Sequence, residues 1–409
     1  MGNIRIFFLL TQILMASSVF ALTFNQAVIE LEKHNTVLST LDSSKAMQAQ
    51  AEVQSSWGDP KFMIAAKNVP KNNFDFNVSP MTGIEFSLAK KIPLTHKYSK
   101  IYDSFNHKAN SYQLQAQNIK RMLISQLWFL AIERKKLTDD LNISKENLDW
   151  ISKMLKISKK LYSNGKISQQ ALLEVQIRKS ELEAEISNTN YELQKLRLQL
   201  DYLLQKKNSE LNLDSIPWNL LKHKDSLNSQ LNTFDYQQRI LEEKLDSEQS
   251  NVTAHKLSYI PDINLAVGYT KRSDLDRNGD FVGASVTFEL PFSSQKYANV
   301  ENSIQLKYAA LKNLKDYELK KNETLNMAHS DIEKIKSDLI ILNNKTIHFA
   351  QNSRDITAKS YGLGKTTYFE LLSAELKLQK LLLKRSSLNA TLNKKYVEYK
   401  FVNGEKLYE

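Results

Sequence analysis

Lys160-Leu-Tyr162-Ser-Asn-Gly165-Lys166, followed by Leu172-Leu173, reads as the turn of a helical hairpin, and the chain writes it twice. The second copy is Lys359-Ser-Tyr361-Gly-Leu-Gly364-Lys365, followed by Leu371-Leu372. Gly165 and Gly364 lie 199 residues apart, as do Tyr162 and Tyr361. Upstream of each turn a second pair of segments matches. Asp59-Pro60-Lys-Phe62-Met-Ile64-Ala-Ala66 answers Ile260-Pro261-Asp-Ile263-Asn-Leu265-Ala-Val267, and Gly83-Ile-Glu-Phe86-Ser-Leu88 answers Gly283-Ala-Ser-Val286-Thr-Phe288. An ordered series at nearly one spacing is an internal duplication, and a duplication sets the architecture.

Each half has the same order of helix, two strands and long helical hairpin. Thr23 and Gln26 form a capping-box pattern that opens a helix running to about Ser56. Alternation predicts strands at 61–67 and 83–92, with Phe62, Ile64 and Ala66 on one face and Ile84, Phe86 and Leu88 on the corresponding face of the next strand. Ile263, Leu265, Val267 and Tyr269, then Ala284, Val286, Phe288 and Leu290, repeat this in the second half. The opposite faces carry Glu85 and Ser87, or Ser285, Thr287 and Glu289. One face suits lipid and the other water, as in a transmembrane barrel; a soluble sandwich with one wet face has the same pattern.

The helices separate these readings. No proline or glycine interrupts Ser99 to Lys160. Leu123, Leu127, Leu130, Leu137, Leu141, Leu148, Ile151 and Leu155 step by three, four or seven, the period of a left-handed coiled coil. Leu172 to Leu203 form the return stripe, and Leu325 to Leu342 with Leu371 to Leu392 repeat the pair. A helix of about 60 residues spans roughly 90 Å, which carries both glycine turns far from the strands. The stripes read as core and imply no cofactor.

Composition agrees with long helices, for 409 residues hold only seven prolines and ten glycines. The net charge is +11, but lysines alternate with glutamates as on a solvated helical surface, which argues against a nucleic-acid footprint. Arg5, the apolar run from Ile6 to Ala16 and Val19-Phe20-Ala21 read as a signal peptide over 1–21, too short an apolar run to span a bilayer. The remaining divisions are a first repeat over 22–206, an irregular polar connector over 207–228 around Pro217-Trp218 and packed round the helices' waist, and a second repeat over 229–409. There is no cysteine, hence neither a disulfide nor a lipidated thiol.

Several local patterns lead nowhere. Gly362-Leu-Gly364-Lys365-Thr366 lacks the first glycine of a phosphate loop, where Lys359 stands, and has no strand before it. Asp274-Leu-Asp276-Arg-Asn278-Gly279-Asp280 resembles a calcium loop but places Ser285 at the twelfth position, so it reads as the turn of the second strand hairpin. His34, His96, His107, His223, His255, His329 and His348 show no ligand spacing, and no nucleophile is paired with a base. No metal site, cofactor or enzyme is expected.

The set of signal peptide, helix, strand pair and long hairpin, in duplicate, resembles the TolC-like outer membrane factors over essentially the whole mature chain. The tip residues, the opening Leu22-Thr23-Phe24-Asn25-Gln26-Ala27 and the strand openings at Asp59-Pro60 and Pro261-Asp262 carry the resemblance, with the heavy-metal-efflux branch as the nearer one. The family implies a mainly α protein with a small transmembrane β part: a homotrimer with a 12-stranded barrel in outer-membrane lipid, four strands per subunit, above an α-helical tunnel in the periplasm. It implies a passive exit duct for a tripartite efflux system, fed through a periplasmic adaptor by an inner-membrane RND or ABC transporter. A type I protein secretion channel is the alternative within the family, and an exported coiled-coil scaffold the alternative outside it. Tyr162, Asn164, Gly165, Lys166, Tyr361, Leu363, Gly364 and Lys365 are the expected adaptor-docking residues. Acidic residues constrict the closed entrance in the family; counted from the tip glycine, Glu370 and Ser373 fall at those positions, so one of two carboxylate rings is kept. The plain alternative for Glu370 is an exposed helical glutamate.

Overall fold

The computed structural model describes residues 21–221, 234–275 and 279–408. Residues 1–20 of the signal-peptide reading over 1–21, positions 222–228 of the connector and Asp276, Arg277 and Asn278 of the 274–280 loop lie outside the described residues.

The first repeat opens with a two-residue strand, β1 (Ala21–Leu22), then α1 (Phe24–Glu32) and α2 (Asn35–Ser55). Thr23 and Gln26 make the expected capping box, each side chain meeting the other's backbone N–H. One difference follows at once. The single helix expected to Ser56 is two, because His34 takes an extended conformation and its Nδ1 accepts the Thr36 N–H (3.2 Å), capping α2 afresh. Strands β2 (Lys61–Lys67) and β3 (Gly83–Ile92) precede α3 (Lys97–Ser163), a single helix of 67 residues, and its return α4 (Gln169–Leu204). At 1.5 Å per residue α3 is about 100 Å long.

The connector contains β4 (Glu210–Leu211), which pairs in parallel with β1, and two short 3₁₀ turns at Leu213–Ser215 and Trp218–Leu220. Its polar sequence hides apolar anchors, for Leu211, Ile216 and Leu221 are buried. They join a core with Phe24, Leu31, Leu127 and Trp128, and Trp218 packs edge-on to Trp128 at 5.9 Å. The Trp128 indole N–H donates to the Leu407 carbonyl (2.8 Å), which ties the C-terminal segment into the same waist.

The second repeat supplies α5 (Tyr236–Leu257), β5 (Ile263–Arg272), β6 (Phe281–Phe288), α6 (Ser294–Ile341), α7 (Ile347–Gly362) and α8 (Tyr368–Asn403). A π-turn at Leu342–Thr346 joins α6 to α7; α3 has no such turn.

The four longer strands form one antiparallel sheet in the order β2-β3-β5-β6, so β2 and β6 are its outer strands. The register puts Phe62, Leu88, Val267 and Ala284 in one row and Ile64, Phe86, Tyr269 and Val282 in the next. That face is apolar and uncovered, with Phe62 and Val282 65% and 76% exposed. The reverse face holds Ser87, Gly268, Gly283, Thr270 and Ser285, and a Lys67–Glu85 ion pair. No helix among the described residues is long and apolar enough to cross a membrane.

Candidate functional site: the two hairpin tips

The two glycine turns close by the same bonds. Lys166 N–H donates to the Leu161 carbonyl (2.8 Å) and Gly165 N–H to that of Tyr162 (2.9 Å). Lys365 N–H donates to Ser360 (2.9 Å) and Gly364 N–H to Tyr361 (2.8 Å). This paired six-to-one and five-to-two pattern needs a left-handed residue, which Gly165 (φ +68°) and Gly364 (φ +73°) provide. Each return helix then starts on a hydroxyl cap: Ser168 Oγ accepts the Ala171 N–H (3.2 Å) and Thr367 Oγ1 the Glu370 N–H (3.3 Å).

The tips pack against each other. Met154 and Leu161 of α3, Val175 of α4, Tyr361 of α7, and Tyr368 and Leu371 of α8 form one buried cluster. Of the residues expected at the surface, Tyr162, Asn164, Gly165, Lys166, Leu363, Gly364 and Lys365 are exposed there, Leu363 at 64%. Tyr361 is not. It is fully buried, its hydroxyl 2.8 Å from Ser158 Oγ, and burial raises its pKa. The two tyrosines at matching repeat positions therefore part: Tyr162 faces outward, and Tyr361 locks the second tip onto α3. Beside them a cavity of about 260 Å³ opens between the starts of α4 and α8, lined by Ala171, Glu174, Tyr368, Phe369 and Leu372.

Glu370 is exposed at the third position of α8, and its carboxylate folds back on the helix start. It accepts the Thr367 N–H (3.1 Å) and the Thr366 hydroxyl, bonds that hold its pKa below the usual carboxylate value. The residue thus has a local capping job as well as a charge at the tip. Ser373, one turn on, is exposed.

Sequence reasoning missed a polar layer just behind the tips. Arg178 of α4 is buried and donates to Glu181 (2.9 Å), Glu185 (3.3 Å) and Gln379 of α8, whose amide donates to Glu185 (3.0 Å). Glu375 of α8 is 1% exposed, with Arg354 of α7 3.8 Å away. A signal for it was present: Leu371, Glu375, Leu378 and Leu382 share the four-three-four spacing of a buried seam. Among the described residues there is no cluster of His, Asp or Glu side chains able to hold a metal ion.

A two-faced sheet, a helix about 100 Å long and paired tips are a fold shared with solved outer-membrane channels. Among solved structures, CusC, studied for the conformational changes accompanying folding and transmembrane channel formation, has a TM-score of 0.80 at 15% identity, over 95% of this chain and 93% of its own. The outer-membrane channel OprN matches at a TM-score of 0.76 and 16% identity, over 94% and 90% of the two chains. The outer membrane protein VceC from Vibrio cholerae matches at 0.76 and 13%, over 94% and 97%. No family model matches the chain, and no curated protein sequence does. The likeness lies in the fold, at identities where sequence comparison alone is silent.

Proposed function

We propose that the chain is an outer-membrane exit duct, a homotrimer that passively conducts substrates delivered by an inner-membrane RND or ABC pump through a periplasmic adaptor. The observation that carries this reading is the sheet. It has four strands, one uncovered apolar face, a reverse face that is small and polar apart from Met63 and Phe281, and two outer strands. Unpaired backbone in lipid costs several kcal/mol per group, so such a sheet enters a bilayer only when further copies close it. Cyclic closure of three copies joins β6 of each to β2 of the next and leaves no edge.

The helices supply matching seams for that closure. Ile177, Ala184, Tyr191 and Leu198 lie seven residues apart on α4, and Ile177, Tyr191 and Leu198 are more than half exposed. Phe349, Ile356 and Leu363 do the same along α7, each about two-thirds exposed. Within one chain α4 packs on α3, α3 on α8 and α8 on α7, and neither stripe is covered. A stripe with a seven-residue repeat seeks a partner with the same repeat. The α4 flank of one copy meets the α7 flank of the next, and the ring closes around a tunnel. The exposed tip residues then form the adaptor's footing, and three copies of Glu370 face the tunnel entrance.

Purified protein in planar bilayers tests the reading: discrete single-channel conductance supports it, and protein that neither inserts nor conducts contradicts it. Resistance of a deletion strain to divalent metals and to hydrophobic drugs then assigns the cargo.

A further inference from the structure

Between the tip cluster and the π-turn, Glu375 stands out as a buried group that the duct does not need. Its side chain is 1% exposed, and neither carboxylate oxygen has a hydrogen-bond partner. An ionised carboxylate left in that state is costly, whereas a neutral carboxyl is tolerated. The charges that reach it are Arg354 and Asp355 from α7 and Arg178 from α4. None neutralises it well. Arg354 stands 3.8 Å off and is bound to Asp355 (3.1 Å), with its guanidinium over the Trp150 ring of α3 at 5.5 Å. Arg178 is taken up by Glu181, Glu185 and Gln379.

The helix that Glu375 faces is also set apart. α7 has 16 residues between the π-turn and the tip; it packs on α8 and reaches α3 through the Tyr361–Ser158 hydrogen bond and Arg354 over Trp150. Leu342, Ile347 and Ala350 clamp its upper end to Leu378, and Tyr361 with Leu371 clamps its lower end. Glu375 and Arg354 lie between the two clamps. A π-turn breaks the regular ladder of helix hydrogen bonds and is frequent at functional sites. The first hairpin has neither feature, since α3 is unbroken and the positions 199 residues earlier are Gln176 and Leu155.

We propose that α7 is an arm hinged at Leu342–Thr346 and latched onto α8 by the neutral, protonated form of Glu375, so that proton loss releases it. Burial, only partly offset by Arg354 and Arg178, raises the Glu375 pKa to about 7. A released arm returns it to an ordinary glutamate value of about 4.3. The raised value belongs to the latched form, so latching is fully favoured below the released pKa and is lost as pH rises through the latched one. Across that window the release constant climbs about tenfold per pH unit and levels off above pH 7, which amounts to several tens-fold between pH 5.0 and 7.5. Only the consequence for conduction, an entrance looser at neutral than at acidic pH, rests on the duct reading.

Hydrogen–deuterium exchange of the purified full chain in detergent tests the latch without any conductance measurement. Protection over 347–362 is read against 143–158 of α3 in the same sample, which cancels the intrinsic pH effect. The expected result is a fall of several tens-fold in the relative protection of α7 from pH 5.0 to 7.5, and no such fall in Glu375→Gln. Relative protection that stays constant in the native chain, or a Glu375→Gln variant that keeps the full pH response, would overturn the latch. A latch that passes this test in a protein that forms no pores would count against the duct and leave the latch standing.

Discussion

Replacing Ile356 by glutamate sets the helical seam between copies against its alternatives. Ile356 is 66% exposed in one chain, flanked seven residues away by Phe349 and Leu363 at 67% and 64%. Full burial of such a side chain is worth about 1.5–3 kcal/mol, so covering the exposed two-thirds contributes about 1–2 kcal/mol. The glutamate forfeits this and must also shed water at a dry seam, which costs a further several kcal/mol unless it finds a cation. Each interface of a closed trimer contains Ile356 once, so the loss is incurred three times on assembly. Ile356→Glu is expected to run as a monomer when detergent-extracted and left unheated on a denaturing gel, and the native chain as a trimer. Gln351→Glu, about 140° round the same helix by the 100° step per residue, should keep the trimer. Circular dichroism separates failure to assemble from failure to fold. A stable trimer of Ile356→Glu, with unchanged thermal dissociation, would refute the seam.

Three further perturbations address the tips and the waist. Glu370→Gln keeps an acceptor for the α8 cap and removes the charge; it should abolish block by multivalent cations in planar bilayers, and unchanged selectivity and block would discard the carboxylate ring. Glu370→Ala should also fray the first turn of α8, because it removes both the capping acceptor and the negative charge at a helix start. Gly364→Trp puts a bulky residue into a left-handed turn, a strain of roughly 1–2 kcal/mol, and covers the exposed tip; efflux should be lost with the trimer level unchanged, and normal resistance would count against tip docking. Trp128→Ala empties the waist core and frees the Leu407 carbonyl, and should lower stability by about 3–5 kcal/mol in denaturant unfolding followed by the helical signal; a loss below about 1 kcal/mol would show that the waist is not a core.

The duplication, both strand hairpins and both tips were legible because each rests on a local signal: period two, period three-and-a-half, or a glycine where the backbone turns left-handed. β2 and β3 occupy the expected 61–67 and 83–92. The phase of the α3 seam was less legible. Its buried line near the tip is Ser144, Asn147, Ile151, Met154, Ser158 and Leu161, while Leu137, Leu148 and Leu155 are only half-buried in the single chain. Small polar residues let helices approach closely, and a hydrophobicity reading passes over them. The break at His34 escaped because a histidine cap lacks the usual serine, threonine or aspartate signature. Tyr361 and Tyr162 are equivalent in the repeat, and only the contact with Ser158 and Val175 across the hairpins separates them. Of the candidate site, the exposed glycine turns could be read from sequence; the Arg178–Gln379 layer behind them depends on helices far apart in the chain.

The central claim is that β6 of one copy completes its ladder on β2 of the next. With no native cysteine in the chain, one can be placed at Met63 in β2 and a second scanned through 281–288 in β6. Oxidation of the membrane-embedded protein should give a ladder of covalent species that ends at three chains, at one register of the scan. Absence of any intermolecular cross-link along β6, in protein that is folded and recovered from the membrane, would contradict closure between copies and the duct with it.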